Sequence, residues 1–232
     1  MTNFQRFGLS KNLNQALIDI DFIDPTPIQS KTIPIALEGR DILGSAQTGT
    51  GKTAAFCIPM IELLTRDLGM TALIMTPTRE LARQVLDVVN KLIGQKSSIR
   101  SACLIGGEAM VKQLNQLRKG PRIIVGTPGR INDHLENETL DLMDCGYLVL
   151  DETDRMLDMG FGIQIDQTLQ YLPSEKQTLL FSATLPTKIM KLSNKYLYNP
   201  QRIAIESEKI LLKNINHDVI NIDHNKKYKE LL

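Results

Sequence analysis

Asp41-Ile42-Leu43-Gly44-Ser45-Ala46-Gln47-Thr48-Gly49-Thr50-Gly51-Lys52-Thr53 passes from an apolar segment, Asp41 to Ser45, through a glycine-rich turn into a second apolar segment, Ala54 to Leu64. The first segment has the length of a buried strand and the second that of a helix. A chain that turns through glycines into a helix can aim backbone N–H groups into the turn, which makes it a cradle for phosphate. Lys52 supplies a charge that reaches outer phosphates, and Thr53 a hydroxyl for a metal ion. The strict phosphate-loop pattern has glycine where this chain has Ala46, so the bare pattern fails by one position. The competing structural reading is a glycine-rich turn with an incidental lysine.

Outward from that turn, short apolar runs alternate with amphipathic stretches. Strands are expected at Asp41 to Ser45, Ala72 to Met75, Ala102 to Ile105, Arg122 to Val125, Tyr147 to Leu150, Thr178 to Phe181 and Arg202 to Ile205. Helices are expected at Ala54 to Leu64, Glu80 to Ile93, Ala109 to Leu117, Gly129 to Leu135 and Thr187 to Tyr196. Alternation of this kind predicts an α/β fold, a mostly parallel sheet of about seven strands with helices on both faces.

A second polar signal follows the run Tyr147 to Leu150. Asp151-Glu152-Thr153-Asp154 places three acids at one strand tip, where they repel unless a cation joins them. Magnesium is the natural partner of such oxygens, and a capped helix start is the competing reading. Other polar segments also fall at strand ends: Pro77 to Ala82, Gly106-Gly107, Thr127-Pro128-Gly129-Arg130 and Ser182-Ala183-Thr184. In an open parallel sheet these ends share one edge, so the segments converge on one crevice. A phosphate cradle beside metal-binding acids makes the two halves of a nucleoside triphosphate site.

Bulk properties set limits. The chain has 232 residues, 42% of them hydrophobic, enough for one large domain or a domain plus a fragment. A net charge of +1 offers no broad basic surface for nucleic acid. Cys57, Cys103 and Cys145 are far apart and odd in number, which reads as buried thiols in a reducing compartment. The N-terminus lacks a signal-peptide pattern and no run approaches the roughly 18 apolar residues of a membrane span, so a soluble, cytoplasmic protein is expected. His134, His217 and His224 are too dispersed for a metal site and read as solvated or capping residues. Lys226, Lys227 and Lys229 read as a solvated face.

Taken in order, Ala46 to Thr53, Pro77 to Ala82, Thr127 to Arg130, Asp151 to Asp154 and Ser182 to Thr184 resemble the signatures of the first RecA-like domain of DEAD-box RNA helicases. Phe22 to Gln29, with Phe4 upstream, resembles that family's adenine-reading Q motif, and the family's own phosphate loop begins with alanine, as here. The resemblance covers Phe4 to Ile205. It implies a RecA-like P-loop domain over residues 1–206, with the Q motif at 2–30, and over 207–232 a linker and the opening of a second RecA-like domain.

The resemblance also implies roles. ATP would meet Phe4, Phe22, Gln29 and the loop Ser45, Ala46, Gln47, Thr48, Gly49, Thr50, Gly51, Lys52 and Thr53, with Phe22 stacking on adenine and the Gln29 amide matching its edge. For the Phe22 to Gln29 segment the competing reading is a helix start, with Thr26 as cap and Gln29 solvated; the two can coexist. Lys52, Asp151 and Glu152 would be catalytic, Glu152 as general base, and Thr53 and Asp151 would hold Mg²⁺, partly through water. RNA backbone would meet Pro77, Thr78, Arg79, Gly106, Gly107, Thr127, Pro128, Gly129 and Arg130, without reading sequence; the competing reading is capping, with both arginines paired to acids. Asp154, Ser182 and Thr184 would couple nucleotide to RNA, capping being the alternative for the two hydroxyls. Two departures stand out: Asp21 where the family has glycine, and Thr153 where it has alanine, which would add a hydroxyl beside the metal acids. The expected function is the ATP-binding half of an RNA helicase, monomeric and nearly inactive without the second domain in cis. The alternatives are an ATP-dependent RNA clamp or ribonucleoprotein scaffold, and, more distantly, a DNA helicase or other P-loop motor.

Overall fold

The structure, a computed structural model, describes residues 3–94 and 97–205. The expected linker and second-domain segment at 207–232, with His217, His224 and the lysines near the end, lies outside the described residues. Seven strands form one sheet: β1 Ile42–Ser45, β2 Thr71–Met75, β3 Ser101–Leu104, β4 Ile123–Gly126, β5 Cys145–Leu150, β6 Gln177–Ser182 and β7 Gln201–Ala204. Their order is β3-β4-β2-β5-β6-β1-β7, and every neighbouring pair is parallel.

Side chains alternate across a strand, so each apolar run serves two cores. Ala72, Ile74, Tyr147 and Val149 face one cluster, completed by helices α1 Lys11–Asp19, α2 Pro27–Leu37, α3 Lys52–Arg66 and α4 Arg79–Ile93. Leu73, Met75, Leu148 and Leu150 face the other, completed by α6 Pro128–Glu136, α7 Thr153–Asp158, α8 Gly162–Gln170 and α9 Thr187–Tyr196. Helix α5, Met110–Leu117, links β3 to β4. The expected fold class is the observed one.

Strand ends differ from the expectation where a polar side chain stands first. Asp41 precedes β1 because its carboxylate accepts the N–H groups of Thr178 at 2.7 Å and Tyr198 at 2.6 Å, tying the strand entrance to its neighbours. Arg122 precedes β4 and donates to the carbonyls of Leu64 and Met70. The three cysteines are buried and unpaired, as expected. Among the described residues no helix is long and apolar enough to cross a membrane.

Strand order sorts the polar segments into two groups. The tips of β5, β6 and β1 are adjacent and carry the acidic tetrad, Ser182 to Thr184 and the glycine-rich loop. The tips of β3, β4 and β2 are also adjacent and carry Gly106-Gly107, Thr127 to Arg130 and Pro77 to Ala82. Since β2 and β5 pair, with Met75 opposite Leu150, the two groups share a border.

Candidate functional site

Gly51 opens α3 at φ 92°, a left-handed conformation that glycine adopts without steric cost. A Cβ there would lie 2.6 Å from Gln29 Nε2, so the position is also closed by packing. The reason is a clip between elements: Gln29 donates from Nε2 to the Gly51 carbonyl at 3.1 Å and accepts the Thr26 N–H at 2.9 Å. Gln29 is buried, so the solvated reading of this side chain fails, although its helix-start role holds. Each end of the amide keeps capacity for one more partner. Lys52 is buried at the first position of α3, its ammonium donating to the Ala46 carbonyl at 2.9 Å inside the loop. Gln47, Thr48 and Gly49 are exposed, and Thr53 is half-buried.

Phe22 is half-buried with the Phe4 ring stacked against it at a centroid distance of 6.3 Å. Phe4 has no exposed surface, which corrects its expected place among the ATP contacts: it supports Phe22 from the core side. Asp21 sits at φ 57°, the left-handed region that the family's glycine would occupy without strain.

At the tip of β5, Asp151 is almost wholly buried. Loss of hydration pushes its carboxyl up to about 6, against the pull of Lys52 and with the help of Glu152. Glu152 also has a left-handed backbone, φ 50° and ψ 48°, which turns its side chain toward the neighbouring loop. Its carboxylate accepts the Thr48 hydroxyl at 3.3 Å and pairs with Arg155 at 3.3 Å. A non-glycine residue held there costs about 1–2 kcal/mol, and such strain gathers at functional sites. Thr153 does not add a hydroxyl to the acids, as its sequence position suggested; it is buried and donates to the Leu150 carbonyl at 3.1 Å. Asp154 accepts three bonds from the β6 tip, from Ala183 N–H at 3.1 Å, Thr184 N–H at 3.0 Å and the Thr184 hydroxyl at 3.1 Å. Ser182 donates to the Thr184 carbonyl.

All the expected RNA-contacting residues except Gly107 and Pro128 line a cleft of about 530 Å³. Thr78 caps α4, its hydroxyl accepting the Leu81 N–H at 3.2 Å, and Thr127 with Pro128 opens α6. Arg79 is exposed and lies over the two glycines; a Cβ on Gly107, itself at φ 77°, would stand 2.1 Å from its guanidinium. Arg130 fits the paired reading instead, bonding Asp133 at 3.1 Å and the Glu108 carbonyl at 3.0 Å. The cleft also has walls the sequence did not disclose: Glu80 and Asp133, and the apolar Met159 and Phe161, the former half-exposed. Phe161 follows the tetrad closely, and its emergence in the cleft depends on the short helix α7.

His134 overturns the solvated or capping reading. It has no exposed surface, and its ring bonds Gln113 at 3.1 Å and Thr139 at 2.8 Å. Burial, then the charge of Arg130, presses it toward the neutral form.

The donor set suits magnesium. A buried carboxylate whose hydration is lost calls for a cation beyond Lys52, and Thr53 offers a hydroxyl. Among the described residues no three of His, Cys, Asp and Glu form a cage of their own. Magnesium does not need one, since it keeps waters and takes substrate phosphates with one or two protein oxygens.

Fold and site thus define a P-loop nucleotide-binding domain with a polar cleft on the same sheet edge. The chain belongs to the DEAD/DEAH box helicase family, whose model matches residues 26–192. It is 42% identical over 229 residues to a DEAD-box ATP-dependent RNA helicase CshA of Geobacillus kaustophilus, a match covering 98% of this chain and 49% of that protein. It is 45% identical to the DEAD-box ATP-dependent RNA helicase RhpA of Helicobacter pylori over 208 residues, 90% of this chain and 42% of that one. The chain therefore spans about half the length of these curated relatives. A DEAD box protein from the hyperthermophile Methanococcus jannaschii superposes with a TM-score of 0.83 at 40% identity, covering all of this chain and 62% of its own. A hypothetical ATP-dependent RNA helicase from Sulfolobus tokodaii gives 0.79 at 36% identity, over 85% and 57%.

Proposed function

We propose that this chain is the ATP-binding half of an ATP-dependent RNA helicase. A second RecA-like domain completes it, and magnesium-dependent ATP hydrolysis drives RNA clamping and local duplex unwinding. The observation that carries the reading is the approach of Glu152 to the phosphate loop, its carboxylate 3.3 Å from the Thr48 hydroxyl. Phe22 offers a face to adenine, and the free capacity of the Gln29 amide matches that base's edge. Lys52 leaves the Ala46 carbonyl to neutralise outer phosphates. Thr53 and Asp151 would hold the metal. When bound, Mg²⁺ neutralises charge on the phosphate oxygens. Glu152 takes a proton from the attacking water.

RNA lies along the cleft and is held through its backbone. N–H groups at the starts of α4 and α6 and at Gly106-Gly107 face phosphate oxygens, and Arg79 supplies charge. With so few cations engaged, binding depends weakly on salt and tolerates any sequence. Asp154 links the two halves by gripping Thr184 of the neighbouring tip. Such a domain is soluble, works in the cytoplasm, and turns over little ATP alone. The test is hydrolysis of ATP and GTP with and without RNA, by a polypeptide carrying this chain and a second RecA-like domain, alongside strand separation. RNA-stimulated, ATP-selective hydrolysis with separation supports the reading. Equal use of GTP contradicts the roles of Phe22 and Gln29, stimulation without separation makes the protein a clamp, and activation by DNA alone makes it a DNA motor.

A further inference from the structure

The tips of β3 and β4 are adjacent, Leu104 opposite Gly126, and they deliver Gly106-Gly107 and Thr127 to Arg130 to the same wall of the cleft. Three ties join those segments. In the backbone, Thr127 N–H donates to the Leu104 carbonyl at 3.0 Å. On the rim, Arg130 donates to the Glu108 carbonyl at 3.0 Å. The third tie is buried. Gln113 of α5 donates from Nε2 to the Ile105 carbonyl at 2.8 Å, and its Oε1 meets His134 Nε2 of α6 at 3.1 Å. His134 Nδ1 meets the Thr139 hydroxyl at 2.8 Å, and neither Gln113 nor His134 is exposed at all.

The chemistry of these atoms fixes their roles. The Ile105 carbonyl can only accept, which turns the Gln113 NH₂ toward it and leaves Oε1 for the imidazole. An amide oxygen can only accept, so His134 carries its proton on Nε2, and the Nδ1 lone pair takes the Thr139 hydroxyl proton, which is shared with the His134 carbonyl at 3.0 Å. From Ile105 through Gln113 to His134 each bond has a single direction. An apolar pair of equal volume would fill the space but could slide; this relay breaks, and strands buried polar groups, when α6 shifts against Ile105. Ile105 is the residue immediately before Gly106, so any shift passes directly to the glycines.

We propose that the buried Gln113–His134 relay is a positioning device for the nucleic-acid cleft. It holds the N–H groups of Gly106-Gly107 at a fixed spacing from those at the start of α6, so that both segments engage one strand together. The proposal rests on the RNA reading above. His134 and Gln113 touch no nucleic acid themselves.

The test uses a polypeptide carrying this chain and a second RecA-like domain, with His134→Leu, Gln113→Leu, the double variant, His134→Gln, His134→Asn and Thr139→Val. Four quantities are read: anisotropy of a fluorescent single-stranded oligouridine, binding of a fluorescent ATP analogue, thermal unfolding, and amide hydrogen exchange at residues 106–108 without RNA. Each leucine variant should weaken RNA binding about tenfold, a free-energy difference of about 1.4 kcal/mol, leave ATP-analogue binding within about twofold, and speed exchange at 106–108. The double variant should be no worse than either single one, because both remove the same tie. His134→Gln, which can return a donor to Gln113, should restore most of the RNA affinity, and His134→Asn, which reaches only toward Thr139, should not. Unchanged RNA affinity and exchange in the leucine variants would overturn the proposal, as would equal losses for RNA and nucleotide that follow thermal stability. Should the leucine variants fail to fold, Thr139→Val decides: about a threefold loss of RNA affinity supports the relay, and no change in affinity or exchange overturns it. If the unaltered two-domain polypeptide binds no RNA, the RNA reading falls, while hydrogen exchange still tests whether the relay holds the loop.

Discussion

Asp151→Asn should make the unliganded domain more stable while removing its grip on Mg²⁺. The carboxyl of Asp151 is pushed from an ordinary 3.8 up to about 6, chiefly by burial, then opposed by Lys52 and reinforced by Glu152. A folded-state value above the unfolded one means that the native protein binds the extra proton. Stability then falls as pH rises between about 4 and 6, and the cost is fully present above that window. A displacement of about two units corresponds to roughly 3 kcal/mol. That figure is already net of the attraction of Lys52; asparagine removes the cost but sets an NH₂ group among the donors Lys52 and Glu152 N–H, so a net gain of about 1–2 kcal/mol is expected at pH 7. For a domain of this size that raises Tm by about 3–6 °C. The assay is thermal and urea unfolding of both proteins in EDTA, from pH 4 to pH 8. The stability difference should grow across pH 4 to 6 and then level off. With Mg²⁺ and ATP added, the unaltered protein should gain stability and the variant little. A variant that is less stable than the original at pH 7 in EDTA, or a difference that does not change with pH, refutes the reasoning.

Other substitutions probe the remaining parts. Gly107→Ala combines a left-handed backbone with a Cβ 2.1 Å from Arg79, and should weaken RNA binding about tenfold in anisotropy titrations while ATP binding holds. Asp154→Ala removes the three bonds to the β6 tip and should leave the affinity for each ligand alone nearly unchanged. The gain in RNA affinity on adding an ATP analogue should shrink by about fivefold or more, measured by titration with and without the analogue. Asp21→Gly relieves a left-handed aspartate and should raise Tm by about 1–3 °C with ATP affinity unaltered.

Much of the fold was legible because its signals are local. An apolar run bounded by polar residues reports a strand in a doubly covered sheet without reference to partners, and Gly49 to Thr53 shows its turn chemistry within a few positions. Strand order is not local, and it alone reveals that β6 stands between the acids and the phosphate loop. Helices α1, α7 and α8 escaped notice: α7 has only six residues, and in α8 the exposed Ile163 two positions from buried Ile165 blurs the helical period. Side-chain burial was hidden for the same reason. His134 looks ordinary on its own helix; its burial is made by Gln113 from α5 and Thr139 beyond α6. Gln29 likewise finds its second partner, Gly51, in a distant segment. Thr153 looked like a new hydroxyl among acids because the sequence does not show that its Oγ1 turns back to Leu150.

The measurement that tests the central claim most directly is ATP turnover by Glu152→Gln, made in a polypeptide that carries this chain with a second RecA-like domain and saturated with RNA. Exchange of one carboxylate oxygen for an amide nitrogen keeps shape and removes the base. Hydrolysis should fall by about 10²–10⁴-fold with ATP affinity within about twofold. Undiminished hydrolysis, or a loss of ATP binding that accounts for the loss of turnover, contradicts the account.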